Sequence, residues 1–148
     1  IYEVTSKHNG KPVTYKYETD EHGRTVRVTG KLKKSAIADN KTRDKKHRNQ
    51  TTQRKYGGDD SDYDGGHLVG TLFQGPAEKV NLVPQLSDQN RYGDWRKMEA
   101  EWAKELDKGK DVEVDILVKY GDDGATPSQL ISKYKIDGGP ATKQKFDN

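Results

Sequence analysis

A strict alternation of apolar and polar residues constrains the fold of this chain more than any other feature. β-Branched residues occupy every second position of one segment: Val112, Val114, Ile116 and Val118. Side chains of a β-strand point alternately to opposite faces of a sheet, so residues 112–120 are predicted to form a strand with one buried face. Residues 130–136 follow a Gly-Asp-Asp-Gly turn signal and complete a predicted hairpin.

Three N-terminal segments have a similar pattern. Residues 2–5, 12–19 and 25–31 alternate and favour β-branched residues or tyrosine, and His22-Gly23 marks a turn. We therefore predict an antiparallel meander that contributes to a central antiparallel sheet. The polar tail, residues 139–148, is expected to fray.

One segment has a helical period instead. Apolar residues recur at spacings of three and four: Trp95, Met98, Trp102 and Leu106. Ser87 or Asp88 is a suitable N-cap and Gly109 a suitable stop, so the pattern predicts an amphipathic helix over residues 88–108. Strands and a separate helix together predict an α+β fold.

Composition limits the size of the core. The chain has 148 residues, which suits one domain over residues 1–148. Only 29% of the residues are apolar and 34% are charged, a balance close to that of disordered chains. Two tryptophans, eight tyrosines and the periodic helix favour a folded protein with a small core and long loops.

Cysteine is absent, which excludes a disulfide framework and a thiolate metal site. No apolar run is long enough for a membrane span, and no signal peptide opens the sequence. Because the chain begins with Ile1 rather than Met, we expect it to be a fragment of a longer protein.

Residues 31–55 concentrate positive charge. Ten basic residues lie there against Asp39 and Asp44: Lys31, Lys33, Lys34, Lys41, Arg43, Lys45, Lys46, Arg48, Arg54 and Lys55. Such a run can line a phosphate backbone. It can equally be a solvated surface segment.

His67 is the first candidate catalytic residue. Imidazole has the side-chain pKa nearest to neutral pH, which suits a general base. Gly65 and Gly66 precede it and allow a sharp turn or a close approach of the backbone. The alternative is a histidine that caps a turn.

Two further polar residues lie beside apolar ones. Glu99 lies at the border of the helical stripe, where a carboxylate needs a partner such as a cation, a metal-bound water or a donor from the His67 segment. A structural ion pair would also meet that need. Asn81 lies in an apolar run, where it serves either the site or a structural hydrogen bond.

Four motifs occur in order: Asp64-Gly-Gly-His67, Asn81-x-x-Pro-Gln85, Asn90 and Trp95-x-x-x-Glu99. Together they resemble the DNA/RNA non-specific endonuclease family over about residues 17–138. The closer similarity is to the branch found at the C-termini of bacterial polymorphic and contact-dependent toxins. The resemblance implies the ββα-metal nuclease fold, in which a long helix beside the central sheet carries the metal-site residues.

The resemblance also implies a role for each motif residue. His67 would be the general base, and Asn90 would be the single protein ligand of a hydrated Mg²⁺ or Mn²⁺ ion. Asn81 would orient the base or the hydrated metal, and Glu99 would hold a metal-bound water. Arg48 is the predicted phosphate-binding arginine, since guanidinium can clamp a phosphate with two hydrogen bonds.

Three positions depart from the family pattern. An arginine beside the base is missing, and Ala103 stands where some members have another arginine. Asn90 and Glu99 are one residue further apart than expected. Nine helical residues rotate by about 900°, which would put the two side chains on opposite faces. Asn90 therefore lies either in an irregular turn before Gly93 or before a helical bulge.

The implied function is metal-dependent, sequence-non-specific hydrolysis of DNA, with RNA as a further substrate. As a toxin domain, the chain would be secreted or delivered into a target bacterium, act in its cytoplasm and be blocked by a cognate immunity protein. A non-catalytic basic module that binds nucleic acid is the alternative. The four scattered histidines do not favour a zinc-dependent hydrolase.

Overall fold

The computed structural model describes residues 1–7, 11–36, 63–86 and 93–148, with Tyr63 and Asp64 described by their backbone alone. The elements are β1 (Tyr2–Ser6), β2 (Val13–Thr19), β3 (Thr25–Lys31), β4 (Tyr63–His67), β5 (Leu82–Leu86), α1 (Asp94–Asp107), β6 (Val112–Lys119), β7 (Gln129–Ile136) and β8 (Thr142–Asp147). Two 3-10 turns, Thr71–Phe73 and Lys79–Asn81, lie between β4 and β5.

Six strands form one antiparallel sheet in the order β1-β2-β3-β6-β7-β8. Because β3 pairs with β6, the N-terminal meander and the C-terminal hairpin belong to the same sheet. β4 and β5 form a separate antiparallel pair. The predicted central antiparallel sheet and the α+β class are confirmed.

One face of the large sheet forms most of the core. Every second residue of β6 is buried, as the alternation predicts, and the neighbouring strands add larger side chains. Tyr17 lies opposite Val28, and Val28 lies opposite Ile116. All three are fully buried. This continuous apolar surface is the floor on which the helix packs.

Helix α1 covers that floor with the predicted apolar stripe. Trp95, Met98 and Trp102 are its buried residues. Trp95 meets Phe146 edge to face at 5.0 Å between ring centroids, and Trp102 meets Tyr134 in the same way at 5.4 Å. Such edge-to-face aromatic contacts fix the helix on the sheet.

The predicted start of the helix at Asp88 is wrong. α1 has 14 residues and begins at Asp94, after Gly93 in an extended conformation as its N-cap. Because Gly93 is extended, the helix does not continue through it, and residues 88–92 lie outside the described part of the chain. The C-terminal end agrees with the prediction, because Gly109 follows the helix with a φ of 80°.

The prediction that the tail frays is also wrong. β8 pairs with β7 over six residue pairs, and Phe146 is buried between Trp95 and the sheet. The side chain of Asn148 donates to Pro84 O at 3.0 Å and Pro127 O at 2.8 Å and accepts from Leu86 N at 3.0 Å. The tail therefore joins the large sheet to the β4–β5 pair.

Within residues 1–7, 11–36, 63–86 and 93–148, no helix has the length and apolar character needed to cross a membrane.

Candidate active site

His67 is the last residue of β4 and lies opposite Leu82 of β5. His67 is 6% exposed, and Leu68 and Val69 after it are each 1% exposed. The predicted histidine therefore lies where a strand ends and enters a buried loop. A group in such a position is held by its surroundings and is shielded from bulk water.

Position 66 needs a glycine because a side chain has no room there, and not because the backbone adopts an unusual angle. A Cβ atom at this position would collide with the side chain of Gln85, which crosses the β4–β5 pair and is 1% exposed. The glycine before His67 therefore permits a close approach, one of the two explanations that its sequence position allows. Gln85 belongs to the Pro-Gln motif. Its contact with Gly66 explains why this motif and the Gly-Gly-His motif occur in the same sequence.

Asn81 holds the backbone of the loop after His67. Its Oδ1 accepts from Val69 N at 3.0 Å, and its Nδ2 donates to Val69 O at 2.9 Å and to Pro76 O at 2.9 Å. The residue is fully buried. The Asn81 amide thus binds both the N–H and the C=O of Val69, two positions after His67. Its hydrogen bonds are made with backbone groups of the protein.

Tyr17 of β2 completes this network. Its hydroxyl donates to Asn81 Oδ1 at 2.9 Å, and burial raises the pKa of that hydroxyl well above 10.0. Thr25 adds a second tie, because its Oγ1 donates to Val80 O at 2.7 Å. The large sheet therefore fixes the 3-10 turn before β5, and through Asn81 it fixes the loop after His67.

Sequence reasoning did not single out Tyr17. A signal was present, because Tyr15 and Tyr17 alternate on the inward face of β2. A buried tyrosine needs a hydrogen-bond partner, so this pattern predicts that each hydroxyl donates to an acceptor elsewhere in the fold. The Tyr15 hydroxyl donates to Phe73 O at 2.8 Å, in the same loop.

Glu99 reaches this loop from the helix. A Cβ atom at Gly70 would lie 2.6 Å from Glu99 Oε2. The carboxylate therefore lies directly against Gly70, three residues after His67, in a place that a larger residue would obstruct. Two predicted site residues from distant parts of the chain, His67 and Glu99, thus lie beside one short loop that Asn81 fixes.

The loop itself is closely folded. A Cβ atom at Gly75 would collide with the carbonyl oxygen of Val69, and Gly75 N donates to Gly70 O at 3.0 Å. Gln74 has a φ of 63° and is fully buried, and its amide donates to Lys11 O at 3.0 Å. These contacts tie the second half of the loop to Gly70 and to Lys11.

The two other predicted site residues, Asn90 and Arg48, lie outside the described residues. Since α1 begins at Asp94, the helical rotation between Asn90 and Glu99 does not apply over the full nine positions. No group of three His, Cys, Asp or Glu side chains among the described residues could enclose a metal ion. The available donor set fits a cation that keeps most of its waters, with a carboxylate at its edge.

The fold is similar to that of solved nucleases. The structure of NucA from Streptococcus agalactiae with a bound magnesium ion superposes with a TM-score of 0.73, at 17% identity over 98% of this chain and 76% of that one. The Sda1 nuclease with a bound zinc ion gives a TM-score of 0.66, at 15% identity over 99% of this chain and 84% of that one.

The chain belongs to the DNA/RNA non-specific endonuclease family. The family's model matches residues 3–138, which confirms the resemblance of the motifs. The type VII secretion system protein EssD of Staphylococcus aureus is 34% identical over 134 residues, or 86% of this chain. The matched region is 20% of that protein's length, so this chain spans about a fifth of its relative.

Proposed function

We propose that this chain is a metal-dependent endonuclease that hydrolyses DNA, and RNA as a second substrate, without sequence preference. The observation that carries the proposal is the convergence of His67 and Glu99 on the loop clamped by Asn81. Membership of the family supports the same reaction class. The β4–β5 pair followed by α1 would supply the ββα-metal unit.

His67 is the proposed general base. It accepts a proton from water as the water oxygen bonds to phosphorus, and the bond from phosphorus to the leaving oxygen breaks. The leaving oxygen then takes a proton from solvent. Burial at the end of β4 keeps the imidazole in one orientation during this step.

Asn81 is proposed as a positioning residue. Its amide is engaged with Val69, Pro76 and Tyr17, so it acts on the base through the backbone rather than by touching substrate. The sequence left open whether Asn81 serves the site or makes a structural hydrogen bond, and a positioning residue does both.

Asn90 would hold the hydrated Mg²⁺ or Mn²⁺ ion, and Glu99 would accept a hydrogen bond from one of its waters. When bound, the ion supplies positive charge beside the phosphate and the leaving oxygen. Arg48 would bind the scissile phosphate. The position of Glu99 against Gly70 supports its role at the edge of this site.

We further propose that the chain is the toxin domain of a longer protein that is secreted or delivered into a target bacterium and acts in its cytoplasm. The similarity to a type VII secretion system protein supports export. A cognate immunity protein would cover the His67 site with acidic groups that face the basic residues 31–55.

The test is cleavage of supercoiled plasmid and of RNA by the purified chain with Mg²⁺, Mn²⁺ or EDTA. We expect cleavage that EDTA stops and that His67→Ala slows by about 10²- to 10⁴-fold. His22→Ala is the matched control, because His22 lies in an exposed turn with its side chain 47% exposed. Binding of DNA without cleavage in any metal would favour the non-catalytic module and overturn the proposal.

A further inference from the structure

The end of β8 contacts both α1 and β5. Side chains of a strand alternate between its two faces, so Phe146 and Asn148, two residues apart, point the same way. Phe146 packs edge to face on Trp95, in the first turn of α1. Asn148 accepts a hydrogen bond from Leu86 N, in the last residue of β5. One short piece of chain therefore holds the end of one element and the start of the next.

The carboxamide of Asn148 binds β5 as a backbone group of an adjacent strand would. One edge of β5 pairs with β4. Asn148 Oδ1 accepts from Leu86 N at 3.0 Å, and its Nδ2 donates to Pro84 O at 3.0 Å. Nδ2 also donates to Pro127 O at 2.8 Å, in the connection between β6 and β7. Both donors and the acceptor oxygen are thus used, and they bind the end of β5 to the large sheet.

The opposite end of β5 is held by other contacts. The hydroxyls of Tyr17 and Thr25 bind Asn81 and Val80, which precede the strand. β5 has five residues, so its last residue lies about 14 Å from its first. A strand that is fixed only at its start can pivot about that point. The hydrogen bonds from Asn148 remove this freedom.

The placement of β5 against α1 sets the spacing between His67 and Glu99. His67 ends β4, which pairs with β5 along its whole length, so the two strands move together. Glu99 lies on α1 four residues after Trp95, the residue that Phe146 contacts. Four helical residues span about 6 Å, so a shift at the start of the helix is passed on to the carboxylate.

We propose that Phe146 and Asn148 are positioning residues of the nuclease site, which set the placement of α1 against the β4–β5 pair. Both lie outside residues 3–138, the region that the family's model matches, so the family's motifs give them no role. The inference rests on the proposed function, in which Glu99 holds a water of the metal ion. Loss of either contact should therefore weaken metal binding and slow the chemical step, and leave binding of DNA unchanged.

The first measurement is amide hydrogen exchange in EDTA, which needs neither metal nor cleavage. Asn148→Ala leaves Leu86 N without its acceptor, so exchange should become faster at the end of β5. Phe146→Leu should have the same effect at the start of α1, because leucine lacks the ring contact with Trp95. The matched control is Gln129→Ala, which removes a 3.2 Å hydrogen bond between β7 and β8.

The second measurement is the dissociation constant for Mn²⁺, from the electron paramagnetic resonance signal of the free ion. It should rise about tenfold in Asn148→Ala and in Phe146→Leu, as expected when the support of a metal ligand is lost. For plasmid cleavage, kcat should fall while KM for DNA stays the same. Gln129→Ala should behave as the parent in all three quantities.

An affinity for Mn²⁺ equal to that of the parent in both variants would overturn the inference, because the two residues would then serve stability alone. Equal exchange in Asn148→Ala and Gln129→Ala would also overturn it. Failure of the proposed function would show separately, as absence of Mn²⁺ binding and of cleavage in the parent chain itself.

Discussion

The six-stranded sheet and the loop between β4 and β5 are stabilised in different ways. The core face of the sheet is built from apolar side chains such as Val28, Ile116 and Val118, each in contact with several others. In the loop, buried polar side chains bind backbone groups, as Asn81 binds Val69 and Pro76. Apolar packing is spread over many contacts, whereas each buried hydrogen bond satisfies one particular group.

The two regions therefore have different effects, one on the stability of the fold and the other on the placement of the site residues. A small change in an apolar core is shared among neighbours, and its cost follows the volume removed. A change in the loop leaves a buried backbone group without its partner and moves the site at the same time. The sheet therefore provides most of the free energy of folding. The hydrogen bonds of the loop hold the segment beside His67 and Glu99 in place.

The largest expected effect on stability comes from Asn81→Ala. This change leaves three buried backbone groups of Val69 and Pro76 without a partner, so the free energy of unfolding should fall by about 3–5 kcal/mol. Ile116→Val in the sheet should cost about 1 kcal/mol. Urea unfolding of both variants compares the two regions, and equal losses would contradict the distinction between them.

Gly70→Ala should affect activity more than stability. The new Cβ would lie 2.6 Å from Glu99 Oε2, and a carboxylate at the end of a flexible side chain can move away at little cost. A displacement of about 1 Å in an active site lowers the rate by about 10²-fold. Plasmid cleavage and thermal unfolding measured together would separate the two effects.

Gly121→Ala is the control for that substitution, because its Cβ would meet Ser128 at an ordinary distance of 3.6 Å. Full activity of Gly70→Ala would mean that Glu99 is a structural group, as the alternative ion-pair interpretation of the sequence holds.

The smallest expected effect is a response to alkaline pH. Burial raises the pKa of Tyr17 well above 10.0 and also raises the pKa of Tyr15. A raised pKa in the folded state means that stability is complete below pH 10 and falls as the pH rises further. Each tyrosine should contribute a loss of about 1.4 kcal/mol per pH unit.

Tyr17→Phe should remove one of these two contributions and about 1 kcal/mol of stability at neutral pH. Tyr15→Phe should do the same for stability, since its hydroxyl donates to Phe73 O. Tyr17→Phe should slow plasmid cleavage more than Tyr15→Phe, because the Tyr17 hydroxyl binds Asn81 directly. Identical cleavage by both variants would remove Tyr17 from the positioning network.

Several elements could be predicted because their signal is local. The alternation in β6 and the stripe of Trp95, Met98 and Trp102 depend on periodicity alone, and both were confirmed. β8 was missed because a single inward Phe146 in a polar segment is a weak signal without its partner strand. The helix start was missed because serine and aspartate favour turns as well as helix caps, so neither residue type marks a helix boundary by itself.

The candidate site was only partly predictable. Residue types and order singled out His67, Asn81 and Glu99 as candidates, and their roles stay predictions. The positions of Asn90 and Arg48 remain predictions of the sequence. Tyr17 contacts Asn81, 64 positions along the chain, and Gln85 contacts Gly66, 19 positions away, and no local sequence pattern reports either contact.

The amino-acid sequence by itself determined strands β1 to β3, β6 and β7, the helical stripe and the family, because periodicity and motif order are properties of neighbouring residues. Only the tertiary structure decided that Asn81 binds the backbone of the loop and that Gly66 and Gly70 make room for side chains. These facts depend on which distant segments meet. The meeting is set by burial of the whole apolar surface rather than by any one segment.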